Sequence, residues 1–516
     1  MKEESKSAKT STKKTGKAAT AKKTAAAKSV KTKTTTKVAE KKVEEKKTKK
    51  GFKMPSAFTI LLIIIAAIAL VTLLVPEGSS VKPATLANVV MAPVSGFVDA
   101  IDVIIFVMVL GGFLGVVSKT KALESGIGRI VKKLKGKELI MIPILMTLFS
   151  LGGTTYGMAE ETIAFYALIV TAMMAAGFDS LVGAAVILLG AGAGVLGSTV
   201  NPFAVGAAVD ALNEAVPGFV ANQTIIITLG ALLWISSLLI SIFFVMRYAR
   251  KVRANKENTI LSETEIKEAK EAFGKENNNE TYELTGKRKL ALVVFAIVFI
   301  VMIVSLIPWE DFGITIFKGT TNLLTGKPFG EWYFQELAAW FFIAAIVIGL
   351  LFRMKEKEIV DSFIDGAASM ISVVLVIAVS RGISVVMSTT GLGDYILNNA
   401  AQMLKGINGI PFTIVSYLVF IGLSFLIPST SGLAGASMPI MGGLAYQLGL
   451  SPEVMIMVFS AACGLVNLVT PTSGVVIGGL AVSKIEFSTW LKFVGKVLLT
   501  LFVVNLIILS MGMMLL

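Results

Sequence analysis

Apolar runs follow one another along the chain from residue 57 to its end, divided by short polar stretches. A helix that crosses a bilayer needs about 20 predominantly apolar residues. Residues 57–75, 96–117, 225–246, 290–307, 337–352, 367–387 and 490–514 predict spans of that kind, uninterrupted by turn signals. Four other segments are broken. Residues 139–150 are too short to cross and end at 150–157, SLGGTTYG, before a second short run at 163–176. The run 181–209 is interrupted by GSTVNP at 197–202. Residues 411–449 form a second interrupted pair around PSTSG at 428–432, and 455–480 is interrupted by NLVTPTSG at 467–474. Gly157 and Gly432 lie 275 positions apart and Pro202 and Pro471 lie 269 apart, so both kinds of break recur at nearly one offset.

Two half-length helices around a polar tip predict a re-entrant hairpin in each half, and each hairpin precedes a broken transmembrane helix. In hydrocarbon an unpaired backbone N–H or C=O costs several kcal/mol, so such backbone persists only inside protein or beside a watery cavity. Matched interruptions in two halves predict a secondary transporter with its site near the bilayer midplane. At the breaks, helix N-terminal ends attract a carboxylate, while freed carbonyls and Ser, Thr and Asn oxygens suit a small hard cation such as Na+. The candidate residues in the first half are Gly153, Thr154, Thr155, Gly157, Ser198, Thr199, Asn201 and Pro202. In the second half they are Ser429, Thr430, Ser431, Gly432, Asn467, Thr470, Pro471, Thr472 and Ser473. Any one break read alone is ordinary helix packing by small residues; four breaks paired at one offset are not.

The fold class expected is an all-α polytopic membrane protein made of two inverted-topology repeats. Residues 1–53 form a tail, 54–250 the first repeat, 251–288 a charged flexible linker, and 289–516 an unmatched span (290–307) followed by the second repeat. Short surface helices are expected at 122–134 and 359–364. Placing the tail and the basic loops 119–137, 247–289 and 353–357 on one side satisfies the positive-inside rule, with the N-terminus in the cytoplasm of a plasma-membrane protein. The extra span 290–307 turns the second copy over.

Charge changes one part of this picture. The net charge of +14 over 516 residues resides entirely in residues 1–53, which hold 19 Lys and 5 Glu and no Arg. That tail has no hydrophobic periodicity and should be disordered; it acts as a solvated, orienting segment or by attraction to anionic lipid. Lysines without arginine or interleaved aromatics do not make a nucleic-acid partner. The lipid bilayer and a small solute are the partners implied. With no His and the single Cys463, an intrachain disulfide, Cys/His zinc sites and Ser-His-Asp catalysis are excluded. No nucleotide loop or nucleophile–base pair is present, so an enzyme is not expected and no cofactor is called for. A channel would need a continuous polar file instead of two breaks.

Charges inside apolar segments are the second signal. Glu160 and Glu161 follow Gly157 at the first hairpin tip, and Arg381 interrupts an apolar span. Burying such groups in the membrane costs about 2.5–3.5 kcal/mol each, so they should face the protein interior. One of the glutamates binds a substrate amine or guanidinium, carries a coupling proton, or pairs with Arg381; the pair Glu161–Arg381 is the structural expectation. Asp99 and Asp102 are expected at a membrane edge, in water.

Met54-Pro55, GGFLG at 111–115, GTTYGMAEE at 153–161, STVNPF at 198–203, PSTSG at 428–432 and TPTSG at 470–474 together resemble the YfcC-like carriers. These are grouped with the C4-dicarboxylate anaerobic carriers of the ion-transporter superfamily. The resemblance covers about 52–514 and excludes the tail. It implies paired hairpins in inverted repeats, a homodimer, elevator-like motion and a coupling Na+ or H+. Members are described both as dicarboxylate carriers and as arginine/ornithine-type exchangers, so it implies a small carboxylate-bearing solute without choosing between them. Acids at the hairpin-one tip, with no Lys or Arg at either tip, favour an amino acid.

Overall fold

The computed structural model describes residues 57–76, 78–133, 137–274, 283–320 and 322–516. The expected tail, residues 1–53, lies outside them. The described chain is helical, and eight of its helices are long and apolar enough to cross a membrane.

The first repeat runs α1 (Ala57–Leu74), α2 (Leu86–Asp99), α3 (Ile101–Lys119), α4 (Ala122–Lys133), α5 (Met141–Tyr156), α6 (Tyr166–Ala175), α7 (Ser180–Leu196), α8 (Ala207–Ala215) and α9 (Gln223–Ala254). Then come α10 (Glu263–Phe273) and α11 (Gly286–Leu306). The second repeat runs α12 (Phe334–Leu351), α13 (Glu356–Ser369), α14 (Ile371–Thr390), α15 (Leu392–Leu404), α16 (Gly409–Leu426), α17 (Thr430–Gln447), α18 (Pro452–Asn467), α19 (Gly474–Val482) and α20 (Phe487–Leu515). Nine helices therefore match nine. α3 and α14 start 270 residues apart, as do α4 and α15, and α7 and α18 start 272 apart. Only α10 and α11 lack a counterpart.

The matched helices run in opposite directions. α2 packs on α14 and α13 on α3, with glycines at each contact. A Cβ on Gly96 would lie 2.1 Å from the Ala378 carbonyl, and one on Gly382 would lie 2.6 Å from that of Ala92. One on Gly115 would lie 2.2 Å from the Ser362 carbonyl, and one on Gly111 would lie 2.8 Å from that of Gly366. In both contacts numbers rise on one helix as they fall on the other. Helices equivalent by sequence offset thus exchange partners antiparallel, as a two-fold axis in the membrane plane requires. Close backbone approach through small residues is the usual basis of helix association in lipid.

α1–α3 and α11–α14 form a scaffold; α5–α9 and α16–α20 form a bundle, with α4 and α15 bridging the two. A chain of phenylalanine rings at centroid separations of 5.3–6.0 Å seals the scaffold to hairpin one and the first break. It runs from Phe149 and Phe165 of hairpin one through Phe299, Phe341, Phe106 and Phe334 to Phe203 beyond the first break. Among the described residues no comparable chain meets α16 or α17.

Several expectations are corrected. The second span does not begin at 96: α2 starts at Leu86 with Pro93 inside it, and α3 follows after a one-residue break at Ala100. The helix at 359–364 extends over all of α13 and packs on α3. Nothing in the sequence reading anticipated α15.

The segment read as a flexible linker also differs. α9 continues to Ala254, and α10 is an ordered helix with a Ser262/Glu265 capping box. The other oxygen of the buried Glu265 carboxylate accepts the Glu486 N–H at 2.8 Å, capping α20. In the first repeat the corresponding N–H, that of Asn222 before α9, is accepted by Glu453 at 3.0 Å. The linker thus supplies for α20 the acceptor that α18 supplies for α9. Thr259 completes the attachment by donating to Asp179, which caps α7 and also accepts the Tyr248 hydroxyl at 2.6 Å. Burial pushes the Asp179 carboxyl above its ordinary pKa, against the pull of these donated bonds.

Candidate functional site

Each hairpin is tied to the broken helix of its own repeat. α5 does not stop at Gly152-Gly153 but runs to Tyr156, so with the turn before it the arm Glu138–Tyr156 is long and apolar enough to cross, contrary to expectation. The hairpin-one tip is 157–165, closing in a 3-10 turn over Glu160–Phe165. Before the tip, the Thr154 hydroxyl donates to the Gly197 carbonyl at 2.7 Å, and the Thr154 carbonyl accepts the Thr199 N–H at 2.9 Å and the Thr199 hydroxyl at 3.0 Å. The backbone groups released where α7 ends are satisfied in this way. Asn201 caps the π-helical turn Pro202–Gly206, accepting the Phe203 N–H at 2.9 Å and donating to Ser198 at 3.0 Å. Gly157 lies against Asn201 with φ +79°, and a Cβ there would come within 2.5 Å of the amide oxygen. Only glycine accommodates both constraints.

The second repeat repeats the plan with different atoms. Thr470 and Thr472 share a hydrogen bond at 2.7 Å, and Thr472 reaches the Phe425 carbonyl at the end of α16 at 3.4 Å. Pro471 is buried between them. Ser429 caps α17 and Ser473 caps α19, each accepting a backbone N–H three residues on.

The breaks then meet one another. α7 and α18 cross where a Cβ on Gly464 would lie 2.3 Å from the Leu196 Cα. Each hairpin also packs on the outgoing half of the other repeat's broken helix: Tyr166 of α6 lies against Gly479 of α19, and Leu212 of α8 lies against Gly442 of α17. The hairpin-one tip and the second break therefore converge.

The predicted residues divide into two groups. The hydroxyls of Thr154, Ser198, Thr470 and Thr472, the amide of Asn201 and the caps Ser429 and Ser473 are committed to internal bonds. Thr155 bonds back to Leu151 at 2.7 Å, within its own helix. Thr430 and Asn467 are half-buried, Ser431 and Gly432 are exposed, and their polar side chains make no hydrogen bond among the described residues. Thr199 and Gly153 stand at the tie between α5 and the first break.

The charges are placed differently from expectation. Glu161 is buried and accepts the Ala159 N–H at 3.1 Å; it does not pair with Arg381. Arg381 instead lies 3.6 Å from Asp99, which is exposed, as expected, but was not expected to have this partner. Asp102 accepts a bond from Gln335 at 2.9 Å. Glu160 is half-buried beside Glu161. The pairing of Asp99 was missed because α2 was missed; a lone Arg381 in an apolar run was the available signal that an acid had to be near.

A profile of the C4-dicarboxylate anaerobic carriers matches residues 80–514. The chain belongs to this family. It is a membrane transporter family and not a family of enzymes. An uncharacterized protein of Haemophilus influenzae is 31% identical over 423 residues, covering 82% of this chain and 77% of its own. A putative basic amino acid antiporter, YfcC of Escherichia coli, is 29% identical over 428 residues, covering 80% and 78%. Two solved structures overlay over most of their length at low identity. MtrF of Neisseria gonorrhoeae, described within a class of antimetabolite efflux pumps, gives a TM-score of 0.44 at 17% identity, covering 90% of this chain and 96% of its own. The YdaH transporter of Alcanivorax borkumensis gives 0.47 at 15%, covering 89% and 98%.

Proposed function

We propose that this member of the family is a secondary-active carrier of an amino acid with a cationic side chain, such as arginine or ornithine, working by exchange or with a coupling Na+ or H+. The observation that carries this reading is the pair of carboxylates at the hairpin-one tip. Glu160 is half-buried and Glu161 buried there, neither within ion-pairing distance of a cation among the described residues, while the nearest acid to Arg381 of α14 is Asp99. An interior acid without a counter-charge is costly in a membrane, and a substrate amine or guanidinium would supply one. The N-terminal ends of α17 and α19, with the uncommitted Thr430 and Ser431, suit the solute's carboxylate. The name of the Escherichia coli relative agrees. A C4-dicarboxylate is the second reading, favoured by the description of the family as a whole.

Counterflow into proteoliposomes tests the choice. Vesicles preloaded with arginine or ornithine are expected to accumulate labelled arginine, and vesicles preloaded with succinate are not; the reverse result establishes the dicarboxylate reading. Orientation in the plasma membrane is checked separately. On the positive-inside assignment, Lys267→Cys in α10 should label only from the cytoplasm and Leu323→Cys, in the loop before α12, only from outside. Both positions are exposed. Labelling of both from one side would overturn the inversion.

A further inference from the structure

Val373, Ile377 and Arg381 follow at four-residue steps and so share one face of α14. That face packs on α19: a Cβ on Gly478 would lie 2.9 Å from Val373, and one on Gly474 would lie 2.4 Å from Ile377. The pairing is antiparallel, four residues against four. One further step carries Arg381 beyond the N-terminal end of α19 at Gly474, on the side of the second break. Hairpin one's tip packs on the same α19.

The guanidinium is not consumed by structure. Its pair with Asp99 is long, at 3.6 Å from Nη1 to Oδ2, and neither side chain is buried. A guanidinium offers five N–H donors in a rigid fork that fits a carboxylate. Arg381 donates none of them at hydrogen-bonding distance to the described residues. A group that is half-open and mid-span, on the face of α14 that packs on α19 next to the second break, is placed to take a ligand.

We propose that Arg381 is the scaffold's ligand for the carboxylate of the transported solute, and that Asp99 holds the guanidinium when the site is empty. This rests on the carboxylate-bearing solute of the preceding reading, whichever of its two forms applies. A cationic amino acid would then lie between the two bodies, its side chain or amine on Glu160 or Glu161 of the bundle and its carboxylate on the scaffold. A decarboxylated analogue would engage the bundle alone.

The test compares inhibition of labelled-arginine uptake by arginine, agmatine (arginine without its carboxylate) and succinate, using the full chain in proteoliposomes. Wild type is expected to prefer arginine to agmatine. Arg381→Gln should weaken arginine about tenfold or more and leave agmatine unchanged, with Arg381→Lys intermediate. Asp99→Asn frees the guanidinium and should leave arginine affinity equal or higher. Labelled succinate is run in parallel: if wild type carries succinate instead, the amino-acid reading falls, and the proposal stands only when Arg381→Gln abolishes succinate uptake. Equal affinity of wild type for arginine and agmatine overturns the proposal, as does an Arg381→Gln carrier with unaltered discrimination. Parallel losses of arginine and agmatine in Arg381→Gln and Asp99→Asn, with a lowered melting temperature, would show a structural ion pair only. Wild type carrying neither arginine nor succinate removes both readings.

Discussion

Gly194→Val is expected to yield no folded carrier, whereas Gly422→Val should behave as wild type. α5 and α7 meet through a reciprocal glycine pair. A Cβ on Gly194 would lie 2.1 Å from the Ser150 carbonyl and 2.7 Å from the Thr154 N–H, and one on Gly153 would lie 2.2 Å from the Ala191 carbonyl. Every near atom is backbone, so no side chain can rotate away and the helices must separate. Overpacking that side chains can absorb costs about 1–3 kcal/mol; here separation also pulls Thr154 from Gly197 and Thr199, exposing the break's backbone groups. Gly422 has nothing within 4 Å of its Cβ position. Size-exclusion profiles of the two variants in detergent, at matched expression, read the difference directly. A monodisperse Gly194→Val protein would mean that the α5–α7 contact is looser than the structure has it.

Replacing both acids of the hairpin-one tip is expected to remove basic amino-acid transport. Each charge-assisted bond to a substrate cation contributes about 1.5–3 kcal/mol, so Glu160→Gln or Glu161→Gln alone should weaken binding about tenfold or more where that residue is the one engaged. The double variant leaves no carboxylate at the tip and should bring arginine uptake to background. Thr430→Val is the matched control, because it removes an uncommitted hydroxyl at the other hairpin without altering charge. It should impair arginine and succinate alike, whereas the glutamate variants should spare succinate. Arginine uptake intact in the double variant would end the case for an amino acid.

What could be read from the sequence was whatever announces itself locally. Gly157, Pro202 and Pro471 interrupt apolar runs by their own backbone chemistry, so hairpins, broken helices and inversion were legible. α2 was not, because Pro93 and a polar start disguise it as loop, and with it went the partner of Arg381. α10 is legible as a helix only through its Ser262/Glu265 box, and its docking on α20 is a contact across 221 residues that no local pattern encodes. The site residues show the same limit. A Thr or Asn at a break reads equally well as a ligand or as a brace, and in Thr154, Asn201, Thr470 and Thr472 the structure finds braces.

The phenylalanine seam makes the two repeats mechanically unequal. A carrier built from inverted repeats reaches its opposite-facing form when each repeat takes the other's shape. Were both repeats sealed to the scaffold alike, the two forms would have nearly the same energy and be populated about equally. On the bundle side the rings of this seam, Phe149, Phe165 and Phe203, all come from the first repeat, and aromatic contacts contribute about 0.5–1.5 kcal/mol each beyond their buried area. On the carrier reading proposed above, the empty protein is expected to rest facing one side, with a built-in bias instead of a level balance.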